Sequence, residues 1–105
     1  MYPGRAPLLE VKDAKAGKFQ INRVPQAPRK TVDTIHFMYW QPDDQKIVRG
    51  EAPTWITYFR ISIFGVGNVS FSDLHITRED IERYSPGILL DFAGSDGSQV
   101  LVWTR

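Results

Sequence analysis

The sequence predicts a small, mainly β protein with one short helix, on three observations. The chain has 105 residues and no cysteine, which is the size of one domain without disulfides. Apolar and polar residues alternate over several short segments, as in half-buried strands. Glycine, proline and aspartate separate those segments. We therefore expect a small antiparallel sandwich, roll or open barrel of about five or six strands, with an α+β arrangement as the alternative.

The N-terminal 30 residues differ from the rest of the chain in charge and proline content. Residues 1–31 carry a formal charge of +5 and residues 32–105 one of −4, and four of the seven prolines lie before residue 30. Residues that precede proline are held in extended conformations. We expect residues 1–30 to form an extended basic arm, with one short strand over Phe19 and Ile21, and residues 31–105 to form a single β-rich domain.

The first half of the predicted domain contains three strand candidates. Residues 31–40 are rich in β-branched and aromatic side chains, and both faces are apolar after Ile35, which is typical of a strand covered on both sides. A Pro-Asp-Asp turn separates this strand from a short return strand over residues 46–49. Residues 55–66 show the clearest alternation, with Ile61 and Ile63 on one face. A change of phase after Phe71 predicts a β-bulge near Ser72 and Asp73.

A helix and a hairpin complete the predicted domain. Thr77 precedes a short acidic segment and can cap a helix near residues 78–85, which a Pro-Gly pair ends. Residues 88–92 and 99–103 flank a loop in which Asp-Gly suits a two-residue turn, and the surrounding glycines and serines allow a longer one. The two-residue turn would place Leu90 opposite Trp103. The predicted core consists of Ile35, Phe37, Phe59, Ile61, Ile63, Phe71, Leu74, Ile76, Ile81, Leu90, Phe92, Leu101 and Trp103.

Catalytic and ligand-binding motifs do not occur in the sequence. His36 and His75 have no second ligand at a metal-binding spacing within their own strands. The chain has no phosphate-binding loop, no dinucleotide loop and no nucleophile elbow. We therefore expect no enzyme, no cofactor and no metal site, and keep a small enzyme with an unrecognised site as the second alternative.

Three tryptophans lie at or beside the ends of predicted strands, where a large ring can be half exposed. Tryptophan, tyrosine and arginine dominate the residues that contribute most to protein interfaces. We expect an accessory or assembly subunit that binds a protein partner or a second copy of itself through strand-edge aromatics and the basic arm. The candidate partner-binding residues are Trp40, Trp55, Tyr58, Arg60 and Trp103.

The first alternative is binding of single-stranded nucleic acid, in which arm cations neutralise phosphates and aromatic rings stack on bases. The candidate residues for this alternative are Lys12, Lys15, Lys18, Arg23, Arg29, Lys30, Tyr58 and Arg60. The chain has no apolar segment of the roughly 20 residues that span a bilayer. We therefore expect no membrane partner and a cytoplasmic location.

Overall fold

The computed structural model describes residues 5–58 and 60–105, and it is mainly β, with 46% strand and 7% helix. This confirms the predicted class. Within those residues, eight strands and one helix follow in chain order: β1 (Leu9–Asp13), β2 (Lys18–Ile21), β3 (Thr34–Gln41), β4 (Lys46–Pro53), β5 (Arg60–Ile63), β6 (Gly67–Ser70), α1 (Arg78–Tyr84), β7 (Gly87–Ala93) and β8 (Gln99–Thr104).

Six of the strands form one sheet in the order β2-β1-β7-β8-β3-β4, and β5 pairs with β6 in a separate hairpin. All pairs are antiparallel except β1 with β7, which are parallel and meet at Leu9 and Leu90. The large sheet is therefore mixed, because the N-terminal hairpin attaches to the free edge of β7.

The N-terminal segment is a hairpin on the sheet where the sequence predicted an extended arm. β1 and β2 pair with each other, and the predicted strand over Phe19 and Ile21 is β2. Leu8 and Leu9 are fully buried, and the backbone N–H of Leu8 donates to the carbonyl of Ile88 at 3.1 Å. Burial of two leucines, each favoured by about 1.5–3 kcal/mol, opposes an extended arm. The division of the chain at residue 30 stays a prediction.

The middle of the chain turns earlier than its alternation predicts. β5 covers only residues 60–63, where Ile61 and Ile63 are buried and the two residues between and before them are exposed. The preceding segment forms turns, in which the N–H of Ile56 donates to the carbonyl of Pro53, and the N–H of Thr54 donates to the distant carbonyl of Asp33. Phe59 lies outside the described residues. The predicted face of this strand is correct, and its predicted length is wrong because backbone turns replace the first half.

The predicted β-bulge near Ser72 and Asp73 is wrong, and the predicted helix is confirmed. Residues 71–75 form turns in which the carbonyl of Phe71 accepts from Leu74 at 3.1 Å and from Ile76 at 2.8 Å. Thr77 caps α1 by accepting from the N–H of Asp80, whose carboxylate accepts from the N–H of Thr77 in return. The change in the alternation of apolar residues after Phe71 therefore marks the end of β6 and the start of these turns.

The C-terminal hairpin has the longer of the two loops that the sequence allows. The carboxylate of Asp96 accepts from both the backbone N–H and the hydroxyl of Ser98, and the N–H of Gly94 donates to the Ser98 carbonyl at 2.8 Å. Leu90 consequently lies opposite Val102, one residue from the predicted register. The predicted core positions of Leu101 and Trp103 are therefore wrong, because these side chains project from the opposite face of β8.

One hydrophobic core lies between the large sheet on one side and α1 with the β5–β6 hairpin on the other. We call the sheet face that contacts this core the inner face, and the opposite face the outer face. The buried residues of β8 are Val100 and Val102, where the sequence predicted burial of Leu101 and Trp103. The predicted core residues that are buried are Ile35, Ile61, Ile63, Phe71, Ile76, Ile81 and Leu90, with Phe37, Leu74 and Phe92 packed partly buried against them.

Candidate binding surface

Alternate residues of β3 and β8 leave the core and meet on the outer face. Side chains of successive residues in a strand point to opposite faces, so the neighbours of buried Ile35 and Val102 point outward. The pairing register places Met38 beside Leu101 and His36 beside Trp103. We call the resulting group the outer stripe; its residues, all half-buried, are His36, Met38, Trp40, Leu101 and Trp103.

Two contacts fix one end of the outer stripe. The rings of His36 and Trp103 stack with centroids 5.5 Å apart and an interplanar angle of 20°. The Nδ1 atom of His36 lies 3.4 Å from Oε1 of Glu51 on β4. Stacking and the carboxylate together limit the rotation of the histidine, so Trp103 is held flat against its neighbour strand.

Charged side chains border the outer stripe: an arginine and a glutamate on the β4 side, and an aspartate on the β7 side. On the β4 side, Arg49 pairs in register with Met38, and Ile47, which is 51% exposed, pairs with Trp40. On the β7 side, Asp91 lies opposite Leu101. Two shallow hollows of about 450 and 180 Å³ open on this face, and Met38 lines both of them. The surface thus has an apolar centre and a mixed-charge rim.

The outer face contrasts with the inner face in what covers it. Helix α1 and the β5–β6 hairpin both pack into the core on the inner side. Within residues 5–58 and 60–105, no helix or strand packs on the outer stripe in the same way. Large apolar side chains on this face are therefore in contact with solvent along one side.

The structure divides the five predicted partner-binding residues into two groups. Trp40 and Trp103 lie together on the outer stripe. Trp55 and Tyr58 lie in the turns before β5, with 62% and 65% of their surface exposed, and Arg60 contacts Asp73 at 3.6 Å. Trp55 lines a separate open cleft of about 380 Å³ on the helix side of the molecule.

Several cations proposed to bind nucleic acid contact carboxylates of the same chain. Arg23 donates to Asp80 at 3.1 Å, and Lys12 contacts Glu10 at 3.2 Å. Arg29 donates twice to Glu82, a buried residue of α1, and this hydrogen bonding raises the pKa of the guanidinium. The other three lysines of the predicted set are exposed and lie in no ion pair among the described residues: Lys15, Lys18 and Lys30.

A larger open groove of about 550 Å³ lies at the end of the sheet beside the β3–β4 turn. Tyr39, Trp40 and Phe64 line it, and burial raises the pKa of the Tyr39 hydroxyl. Hydrogen bonds from Ser98 lower the pKa of the Asp96 carboxyl at its rim. Both pKa shifts have local causes. Asp96 accepts hydrogen bonds within its own loop, and Tyr39 packs at the edge of the core.

Sequence reasoning missed the central residues of the outer stripe. Met38 and Leu101 were not predicted to bind a partner, and Leu101 was placed in the core by the wrong hairpin register. The signal that could have found the stripe was the parity of β3, where His36, Met38 and Trp40 share one face. On β8 the same signal required the loop geometry of Asp96, which the sequence does not reveal.

Comparisons with protein-family models, with curated proteins and with solved structures give no match to this chain. In the part of the chain that the structure describes, no three histidine, aspartate or glutamate side chains are grouped to hold a metal ion. Among those same residues no helix has the length and apolar character needed to cross a membrane.

Proposed function

We propose that this protein is a non-catalytic binding protein whose outer stripe docks a protein partner. The observation that supports this is the group of large apolar side chains on an open sheet face, with Trp40 and Trp103 at its two ends. Large apolar side chains that lie together, half-buried, on a sheet face without a covering element are candidates for an interaction site. The proposal includes the cytoplasmic location expected from the sequence.

The dimensions of the outer stripe suggest what the partner presents. Residues on one face of a strand recur about every 6.6 Å, so Trp40 and His36 are about 13 Å apart along β3. That length corresponds to between two and three turns of an α-helix. We infer that the partner contributes an apolar helix face, with Met38 and Leu101 at the centre of the contact.

The rim gives the proposed contact its orientation. Arg49 and Glu51 lie on one side of the outer stripe, and Asp91 lies on the other. Charges at the edge of an interface contribute little affinity when exposed, but they select register and disfavour wrong partners. A partner whose apolar face carries charges of both signs at its borders fits this rim best.

The experiment begins with a photo-crosslinking residue in place of Leu101, in cells that carry the gene, and in place of Gln20 on β2 as the control. Partners captured from position 101 and not from position 20 are purified. Their dissociation constants are then measured for the wild-type chain and two matched variants, Trp103→Ala on the outer stripe and Trp55→Ala away from it.

We expect Trp103→Ala to weaken binding by about 30-fold, because truncation of a large interface tryptophan commonly costs about 2 kcal/mol. We expect Trp55→Ala to change the dissociation constant less than about twofold, since exposed residues outside an interface are near neutral. Equal capture from both crosslinking positions, or an effect of Trp55→Ala alone, would reject the outer stripe as the docking surface.

Binding of single-stranded nucleic acid remains the second candidate, and the stacked His36–Trp103 pair favours it. Bases stack on aromatic rings presented by open sheets. If Lys15, Lys18 and Lys30 met phosphates, the logarithm of the affinity would fall with that of the salt concentration at a slope of about −2. Fluorescence anisotropy with mixed oligonucleotides at low and high salt measures this slope. Tight binding that Lys15→Glu and Lys18→Glu weaken would place nucleic acid first.

A further inference from the structure

We propose that the free edge of β4 docks a second copy of this chain, in an antiparallel β4–β4 pair centred on Gly50. This inference does not depend on what the outer stripe binds, because it concerns the backbone edge of the sheet and two charges that border the stripe, Arg49 and Glu51. It identifies the partner as an identical subunit and specifies the register in which the two strands meet.

The two edges of the large sheet differ in length. β2, at one edge, has four residues, and β4, at the other, has eight. Among the described strands β4 pairs only with β3. Every second residue of an edge strand directs its N–H and carbonyl away from the sheet, and a long row of such groups is a template for another strand. β4 is therefore the edge that offers the longer ladder, which lacks one N–H donor at its last residue, Pro53.

The charges on β4 are complementary to themselves under a two-fold rotation. Arg49 and Glu51 are exposed, lie on the outer face and flank Gly50. A two-fold axis through Gly50 places Arg49 opposite Glu51 of the partner subunit, and the same pair recurs on the other side of the axis. Opposite charges that face each other across antiparallel strands stabilise their pairing.

The neighbouring registers are unfavourable for the same reason. An axis through Arg49 would place the two copies of that arginine opposite each other, and an axis through Glu51 would do so for the two glutamates. Like charges directly opposite destabilise a strand pair. In the described structure Arg49 contacts no carboxylate within ion-pair distance, whereas Glu51 already lies 3.4 Å from His36. The register centred on Gly50 supplies Arg49 with a carboxylate.

The inner side of the edge is also suited to close approach. A Cβ atom at Gly50 would lie 2.3 Å from the ring of Phe37, so that ring occupies the space of a side chain at the centre of the strand. In the proposed register Val48 faces Ala52 of the partner subunit, which is a small apolar pair. No β4 side chain blocks the axis, and each Phe37 ring covers the backbone next to it.

The test measures the mass of the full-length chain by sedimentation equilibrium over a range of concentrations. We expect the wild-type chain to shift from its monomer mass of 12.0 kDa to twice that value. Arg49→Glu and Glu51→Arg each create two like-charge pairs, and we expect each variant alone to dimerise about tenfold or more weakly. Lys46→Glu is the matched control on the same strand, because its position has no charged residue opposite in this register.

Mixing the two variants provides the decisive step. A chain with Arg49→Glu carries two glutamates, and one with Glu51→Arg carries two arginines, so the mixed pair is complementary on both sides of the axis. We expect the mixture to regain the dimer that neither variant forms alone. A wild-type chain that stays at 12.0 kDa throughout, a dimer that neither reversal weakens, or a mixture that stays monomeric would overturn the proposal. Far-UV circular dichroism of each variant reports whether it is folded.

Discussion

The two faces of the large sheet are built from the same strands and differ in what lies against them. On β8, Val100 and Val102 point inward and are buried, whereas Leu101 and Trp103 between and beside them are half-buried on the outer face. Both faces are apolar. The difference arises from the connections, since the chain between β4 and β7 forms the β5–β6 hairpin and α1 and crosses only the inner face.

This comparison changes the meaning of a strand that is apolar on both sides. The sequence predicts that β3 is covered on both faces, and the described elements cover only the inner one. An apolar pattern reports a tendency to leave water, and it does not distinguish a core inside the chain from a surface that a partner covers. Side chains on the two faces should therefore differ in how much they stabilise the fold, as the faces differ in what covers them.

The largest expected effect comes from removing the cover of the inner face. Ile61 lies on β5 and is 1% exposed. Ile61→Ala is expected to lower the free energy of unfolding by about 2–5 kcal/mol, through lost burial and the cavity that remains. Urea unfolding followed by circular dichroism measures the change. An unchanged midpoint would mean that the β5–β6 hairpin is not part of the cooperative fold.

A smaller loss of stability is expected at Gly50 on the edge strand β4, against which the ring of Phe37 on β3 packs. Gly50→Ala places a methyl group where the ring of Phe37 lies, 2.3 Å from its nearest atom, so the ring must move. We expect a loss of about 1–3 kcal/mol, as for other overpacked sites. In the background of Phe37→Leu, which frees that space, the loss should be smaller. A double-mutant cycle measures this coupling, and additive effects would contradict the proposed contact.

The smallest of the three effects concerns pH and the turn that leads from β6 toward α1. The backbone N–H of Ser70 donates to Asp73, and this bond, with the Ser70 hydroxyl and then Arg60, lowers the pKa of the Asp73 carboxyl in the folded chain. A lowered folded-state pKa stabilises the fold above the ordinary value, and the contribution is lost as the pH falls below about 4. Asp73→Asn is expected to reduce the slope of stability against pH in that range.

Thermal unfolding of the wild-type and Asp73→Asn chains between pH 7 and pH 2.5 measures this slope. Asp96→Asn serves as the comparison, because that carboxyl also has a lowered pKa and lies in the β7–β8 loop, away from the β6 turn. Identical acid profiles for the wild-type chain and Asp73→Asn would show that the hydrogen bonds of Asp73 do not contribute to stability.

Local signals in the sequence predicted much of the fold. Thr77 and Asp80 have the spacing of a capping box, and α1 begins where that spacing places it. The β3–β4 hairpin follows from its composition and turn residues, although β4 continues past the predicted residues 46–49 to Pro53. These features depend on contacts between residues close in sequence, which a local pattern contains.

The features that the sequence did not reveal depend on distant contacts. Leu8 and Leu9 lie in a proline-rich basic segment, and their burial depends on the free edge of β7, about 80 residues away. The register of β7 with β8 depends on how Asp96 organises its loop. The outer stripe also depends on a distant contact, because its residues come from β3 and β8. Its centre, Met38 and Leu101, can be found only when the pairing register of these two strands is known.

The most direct test of the difference between the faces compares two leucines on adjacent strands. Leu90 is fully buried on the inner face, and Leu101 lies half-buried on the outer face, opposite Asp91, the neighbour of Leu90. The measurement is the free energy of urea unfolding for Leu90→Ala and Leu101→Ala. We expect a loss of about 2–5 kcal/mol for Leu90→Ala and less than about 1.5 kcal/mol for Leu101→Ala. Equal losses at the two positions would contradict an open outer face.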